Sequence, residues 1–257
     1  KKIGILGCGW LGLPLAKSLI DDKRTVFGTT TSDSKIELLH KANIVPYTID
    51  LTENGIKGNI KGFLAELDLL IINVPPKLRS APKESYIKKM QHLYDEIKKT
   101  SLGRIIFISS TSVYGDIEGR VTEDSHTRPN TESGKQLLAA ENIFLNDGSL
   151  ITTIIRFGGL IGPSRHPVTI LAGKTDLSNG NDPVNLIHLN DCIGIIKLVI
   201  NGNWENKVVN GVHPLHPTKE AYYTSEALKR GLLPPIYSKN SDKIGNKSIE
   251  SKYLNVK

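Results

Sequence analysis

The sequence predicts an α/β fold: a doubly wound parallel sheet followed by a smaller C-terminal region of substrate-binding type. Three observations carry this expectation. Strand-like and helix-like segments alternate over the first 157 residues, as they do when helices cover both faces of a parallel sheet. The stretch Asp68–Val74 (Asp-Leu-Leu-Ile-Ile-Asn-Val) is a near-continuous apolar run, the pattern of a strand buried on both faces. Glycines also stand at Gly7, Gly9 and Gly12, between the first apolar run and the first helical one.

That glycine spacing, Gly-x-Gly-x-x-Gly, makes the fold a Rossmann fold with a dinucleotide site. Ile3 to Leu6 reads as a buried strand and Leu11 to Ile20 as the helix after it. Gly7 allows the tight turn, Gly9 lets the backbone approach a pyrophosphate, and Gly12 lets helix and strand pack closely. Gly7, Gly9, Trp10, Leu11 and Gly12 thus form the expected phosphate cradle, with the helix N-terminus facing the anion. An ordinary glycine-rich turn is the alternative.

The remaining elements follow in order. Thr25–Thr29 reads as a strand, Ser34–Lys41 as a helix, and Ile44–Ile49 as a strand. Pro75-Pro76 ends the Asp68–Val74 strand. Tyr86–Lys99 is an amphipathic helix and Arg104–Ile108 a buried strand running into Ser109-Ser110-Thr111-Ser112. Thr131–Asn146 is a helix and Leu150–Arg156 a strand. After Arg156 the texture changes: Gly158, Gly159, Gly162 and Pro163 open a loop-rich stretch, and Gly173 to Pro183 is polar. Val184–Ile187 (strand), Asp191–Ile200 (helix), Val208–Val212 (strand) and Thr218–Arg230 (helix) complete the reading. Residues 1–157 are the expected dinucleotide-binding domain. Residues 158–257 are the smaller region, with some of its elements returning to the first domain.

Composition narrows the function. The chain has 257 residues, 39% hydrophobic and 23% charged, enough for a full core. No apolar run is long enough to span a bilayer, and the opening strand does not read as a signal peptide. Cys8 and Cys192 are the only cysteines, so neither a disulfide framework nor a metal motif is expected, and a reducing cytoplasm is. The net charge of +7 raises the question of nucleic acid. The lysines are spread over helices and form no stripe interleaved with aromatics, so a solvated face is expected, with part of the charge serving an anionic cofactor or substrate. The expected state is a monomer or homodimer.

The acid that holds an NAD ribose belongs at the end of the second strand, about 20 residues past the glycines. Thr30 stands there, so no carboxylate repels a 2′-phosphate. Thr30, Thr31 and Ser32 offer donors and Lys35 a charge, and NADP is favoured over NAD. The alternative is that the threonines merely suit a strand end and Asp33 serves the ribose.

Several segments together resemble the extended short-chain dehydrogenase/reductase family, the NAD(P)-dependent sugar epimerases and dehydratases. They are the glycine turn, Ile-Ser-Ser-Thr-Ser-Val-Tyr-Gly-Asp at 108–116, Arg156 with Gly162-Pro163, and Asn185-Leu-Ile-His188-Leu-Asn-Asp191. They occur in the family's order and cover nearly the whole chain. As isolated pieces, Ser109–Ser112 is a strand-end turn, His188 a packing histidine and Asp191 a helix cap. The resemblance implies an adenine contact at Asp50 and Leu51, where capping the next turn is the alternative. It also implies passage of the cofactor along Val74, Pro75 and Pro76, with Ser109 in the cofactor set.

The resemblance breaks at the catalytic pair. The family's Tyr-x-x-x-Lys opens the helix containing Thr131–Asn146, the Tyr moving the substrate proton and the Lys lowering its pKa. Ser133 and Leu137 stand there when Leu138-Ala-Ala-Glu141 is aligned, and no tyrosine lies between Tyr114 and Tyr222. This is the pattern of the atypical subgroup with a Gly-x-Gly-Trp-Leu-Gly turn. Ser110 aligns with the family's substrate-binding Ser/Thr. Tyr114 is a surrogate acid candidate, Lys135 is the lysine nearest in sequence to the lost positions, and Ser133 reads as an N-terminal cap. Arg165-His166 suits an anionic substrate, a solvent-exposed loop being the alternative. The catalytic candidates are therefore Ser110, Tyr114, Lys135 and His166. The reading is an NAD(P)-binding oxidoreductase or epimerase-like protein acting on a small polar substrate, a sugar nucleotide among the options. A non-catalytic NADP-binding redox sensor or regulator is the alternative.

Overall fold

The computed structural model describes residues 1–76, 84–238 and 246–254. β1 (Lys2–Leu6) leads into α1 (Gly12–Asp21), and β2 (Thr25–Thr30) through a 3-10 turn into α2 (Ile36–Lys41). β3 (Val45–Thr52) folds back on β4 (Gly55–Gly58), then come α3 (Ile60–Leu64) and β5 (Leu69–Ile72). α4 (Tyr86–Ile97), β6 (Arg104–Ser110), β7 (Arg120–Val121), α5 (Glu132–Leu145) and β8 (Ile151–Phe157) follow. The later elements are β9 (Gly159–Ile161), α6 (Val168–Leu171), β10 (Leu186–His188), α7 (Leu189–Asn201), β11 (Val208–Gly211), α8 (Lys219–Lys229) and β12 (Ser248–Ile249).

The main sheet has eight strands in the order β11-β8-β6-β5-β1-β2-β3-β4, parallel except for the β3–β4 hairpin. From β1 the chain winds outward through β2 and β3, then crosses to β5, β6 and β8. The order reverses at β1, which makes the strand ends beside it the place for a ligand. Side chains alternate across the sheet as the pleat requires. Ile3, Ile5, Leu69 and Ile71 pack on one face with Leu15 and Leu19 of α1 and Ile196 and Val199 of α7. Leu70, Ile72, Ile105 and Phe107 pack on the other with Met90, Leu93 and Phe144. Each such aliphatic or aromatic side chain contributes about 1.5–3 kcal/mol on burial, which is why both faces read as apolar runs.

Two segments depart from the sequence reading. The expected strand Val184–Ile187 forms as Leu186–His188 and leaves the main sheet, pairing with Gly159–Ile161 inside the stretch read as loop. Between β3 and β5 lie a hairpin and a short helix that sequence reading left unassigned, because glycines at 55, 58 and 62 break the apolar period. Val208–Gly211 returns to the main sheet, pairing with β8, and α7 packs against α1.

A buried ion pair ties the sheet to α5. Arg156 on β8 donates from Nη2 to Glu141 Oε2 (2.6 Å) and from Nε to Oε1 (3.1 Å), and both side chains are buried. The Ser109 hydroxyl on β6 donates to the same carboxylate. The guanidinium also lies over the Tyr114 ring, 5.0 Å from its centre. Burial opposes the charge on Arg156, but its bonds to Glu141 win and raise its pKa. Removing one partner strands the other charge. Glu141→Ala is therefore expected to cost about 3–5 kcal/mol in urea unfolding, with α5 loosened from the sheet.

Candidate functional site

The cradle after β1 has the geometry its glycines imply. Gly7 has φ +104°, and its N–H donates to Thr29 Oγ1 at 2.9 Å. Asn73 Nδ2 donates to Gly7 O at 3.0 Å, tying the turn to the end of β5. A Cβ on Gly12 would fall 2.1 Å from Gly7 O, so α1 approaches the turn too closely for any side chain. A Cβ on Gly9 would meet nothing within 4 Å: it faces open space. No side chain caps α1, and its first turn carries no acid. Leu13 N–H is taken by Gly9 O and Pro14 has none, so the donors facing the cleft are those of the Gly9–Leu11 turn at the positive end of the helix dipole, an environment that fits a dinucleotide's pyrophosphate.

The opening is a cleft of about 1450 Å³ along the strand ends. Of the residues read as cofactor-binding, it brings together Gly7, Gly9, Trp10, Leu11, Thr30, Thr31, Lys35, Asp50, Leu51, Val74, Pro75, Pro76 and Ser109. Gly12 lies behind the cradle, and Ser32 faces Ser34, its hydroxyl 2.7 Å from that of Ser34. Thr30 Oγ1 accepts from Ser32 N–H at 3.1 Å, which shapes the turn after β2. Asp33, the alternative ribose acid, accepts from the Thr48 hydroxyl at 2.7 Å and does not line the cleft. Asp50 lines the cleft rather than capping a turn.

The four catalytic candidates separate. Ser110 lines the cleft, its hydroxyl accepting from Ser112 N–H at 3.1 Å. Tyr114 does not reach it: the ring is fully buried, and its hydroxyl donates to Asn210 Oδ1 at 2.9 Å. Burial raises its pKa, so a surrogate-acid role there lacks both access and acidity. Lys135 is exposed on α5 and does not line the cleft. His166 parts from its neighbour. Arg165 lines the cleft, whereas His166 turns under α8, where Nδ1 accepts from Val168 N–H (3.2 Å) and Nε2 lies 3.1 Å from the Tyr222 hydroxyl. Burial and the nearby Arg230 hold its pKa down against the pull of Glu226.

Two caps also differ from expectation. Thr131, not Ser133, caps α5 by accepting from Gly134 N–H at 3.1 Å. His188, not Asp191, caps α7 by accepting from Asn190 N–H at 3.2 Å. Leu137, which the sequence alignment on Leu138-Ala-Ala-Glu141 sets against the family's lysine, lines the cleft with an apolar side chain.

Sequence reading missed Lys247. Asn185 accepts from Ile249 N–H (2.7 Å) and donates to Lys247 O (2.8 Å), pinning this late segment beside the cleft. Lys247 Nζ donates to Gly115 O at 2.6 Å and lines the cleft. Burial lowers its pKa, with Lys219 acting in the same direction and Asp116 opposing. No local motif marks it, since its placement depends on a contact 62 residues away in sequence. Cys8 also lines the cleft, but burial pushes its thiol up to about 12, which excludes a nucleophile. Among the described residues no group of three or more His, Cys, Asp or Glu could hold a metal, and no helix is long and apolar enough to cross a membrane.

Comparison with known proteins now decides the family. The model of the NAD dependent epimerase/dehydratase family matches residues 3–201. The chain belongs to that family. It is 35% identical over 251 residues to protein YeeZ of Escherichia coli (strain K12), covering 97% of this chain and 91% of that one. The UDP-glucose 4-epimerase of Thermotoga maritima, solved with UDP-glucose, shares the fold at a TM-score of 0.79 and 18% identity (97% of this chain, 89% of that one). The UDP-glucuronic acid 4-epimerase of Bacillus cereus, solved with NAD, does so at 0.74 and 19% (98% and 86%). Membership makes the chain an NAD(P)-binding, epimerase-like protein.

The glycine geometry separates two substitutions. Gly9→Glu is expected to fold with an unchanged unfolding midpoint and to lose about a hundredfold in NAD(P) affinity by calorimetric titration, since its carboxylate enters the pyrophosphate path. Gly12→Val should instead fail to fold stably.

Proposed function

We propose that this family member is an NADP-preferring oxidoreductase of the epimerase type, acting on a polar anionic substrate of the sugar-nucleotide class without a Tyr–Lys pair. One observation carries the reading. A single cleft joins the phosphate cradle at Gly9, a carboxylate-free ribose end at Thr30, Thr31 and Lys35, the Ser110 hydroxyl, and the cations Arg165, Lys219 and Lys247. The UDP-sugar epimerases that share the fold support the substrate class.

When bound, the nicotinamide supplies the redox chemistry. The chain's residues hold and orient. Backbone N–H groups of Gly9, Trp10 and Leu11 would bind the pyrophosphate, Asp50 and Leu51 would hold the adenine, and Val74, Pro75 and Pro76 would flank the passage toward Ser109. Ser110 donates to the substrate oxygen and fixes its position. Lys219, already held by Asp182 at 2.9 Å, and Lys247 attract an anionic substrate. The Asp33 carboxylate, turned to Thr48, leaves the 2′ position to Thr30, Thr31 and Lys35.

The acid–base step distinguishes this from a non-catalytic NADP-binding sensor, a reading that Leu137 favours because it puts methyl groups where the family has an ammonium. A positioned general acid–base contributes roughly 10²–10⁴-fold in rate. Wild-type turnover on a panel of UDP-sugars, followed by product analysis, is expected to be slow. Ser133→Tyr with Leu137→Lys is expected to raise it at least tenfold. A wild type that binds NADP but, like the double variant, turns over no member of the panel would favour the sensor.

Cofactor choice has its own test. Competition titrations are expected to show tighter binding of NADP than NAD to the wild type. Thr30→Asp should reverse that order, its carboxylate repelling the 2′-phosphate and accepting from the ribose hydroxyls. A wild type that prefers NAD would overturn the assignment.

A further inference from the structure

The turn at residues 162–165 is joined to the cofactor cradle at three points. Residues 162–165 form a tight turn closed by two backbone bonds, Gly162 N–H to Arg165 O (2.9 Å) and Arg165 N–H to Gly162 O (3.1 Å). The Trp10 indole, from the middle of the cradle, packs on this turn: a Cβ at Gly162 would stand 3.0 Å from its ring. Trp10 Nε1 donates to Pro163 O at 2.9 Å, which fixes the ring. The Arg165 guanidinium then lies over the indole, 5.0 Å from its centre.

Stacking holds a guanidinium by its face and leaves its edge N–H donors free. Arg165 is exposed, lines the cleft with Trp10 and Leu11, and spends its side-chain donors on no protein acceptor among the described residues. The uncapped, acid-free start of α1, at Gly12, follows two residues after Trp10 and opens on the same cleft through Leu11. A cation held by its face near an anion-binding helix terminus matches a diphosphate in both charge and fork geometry.

We infer that Arg165, seated on Trp10, is a pyrophosphate-binding residue that closes the cofactor cradle from the substrate side. The inference rests on the NAD(P)-binding reading and assigns Arg165 to the cofactor rather than to the substrate.

The test is binding of NADPH and NADH to the wild type, Arg165→Gln, Arg165→Lys and Trp10→Ala, by calorimetry and by ³¹P NMR of the bound cofactor. Arg165 is exposed, so the glutamine variant should keep its unfolding midpoint. Its affinity is expected to fall about tenfold, with the pyrophosphate resonances displaced and the 2′-phosphate resonance of NADPH unmoved. The lysine variant should recover only part of the loss, since an ammonium neither stacks nor forks, and Trp10→Ala should resemble the glutamine variant. Unchanged affinity in Arg165→Gln, or weaker binding with unmoved pyrophosphate resonances, would overturn the clamp and leave the cofactor reading intact. A wild type that binds neither dinucleotide would overturn both.

Discussion

The site depends first on the buried pair between Arg156 and Glu141. Charges are costly to bury, and this one is tolerated because the contact is two-pronged and Ser109 adds a third bond to the same carboxylate. Its effect is positional. β6 ends at Ser110 and α5 carries Leu137, so bonds from Ser109 and Arg156 to one α5 side chain fix the distance between those two cleft walls. Tyr114 serves the same framework: its ring lies under Arg156, and its hydroxyl reaches Asn210 on the edge strand. The tyrosine nearest in sequence to Ser110 is therefore committed to structure.

The two ends of the cleft differ in how they are built. The phosphate cradle is made by local sequence, a strand, a turn and a helix within twenty residues, and its backbone groups need only glycines to be exposed. The substrate end is assembled from segments far apart: the turn at 162–165, the start of α8 and the segment around Lys247. Side chains there are held by long-range bonds, such as those from Asn185 to the segment around Lys247. The family's Asn-x-Ile-His-x-x-Asp marker thus does structural work, with Asn185 pinning a distant strand and His188 capping α7.

This difference explains what could be read from the sequence. The parallel sheet, its strands and the cradle were legible because apolar runs and glycine spacing are local signals. Thirteen of the fifteen residues read as cofactor-binding line the cleft; Gly12 lies behind it by design of the motif, and Ser32 turns to Ser34. The catalytic set was not legible. Neighbours in sequence, Arg165 and His166, point into different environments because Arg165 closes the tight turn at 162–165 over Trp10 while His166 starts the segment that packs against α8, and Lys247 is placed by a partner 62 residues away. The β3–β4 hairpin escaped because pairing, not periodicity, holds it together.

The loss of the Tyr–Lys pair need not weaken cofactor binding. In this chain the pyrophosphate would be held by backbone donors at the start of α1, whose strength depends on Gly9 and on the absence of an acid in the first turn, not on α5. In the proposed arrangement Leu137 takes a cation from the nicotinamide end, while Arg165 would add one at the pyrophosphate end. A fold arranged this way keeps its dinucleotide by charge and geometry that do not take part in proton transfer. Cofactor affinity and catalytic rate then become separable properties, set at opposite walls of one cleft, and a substitution at α5 should move the second without the first.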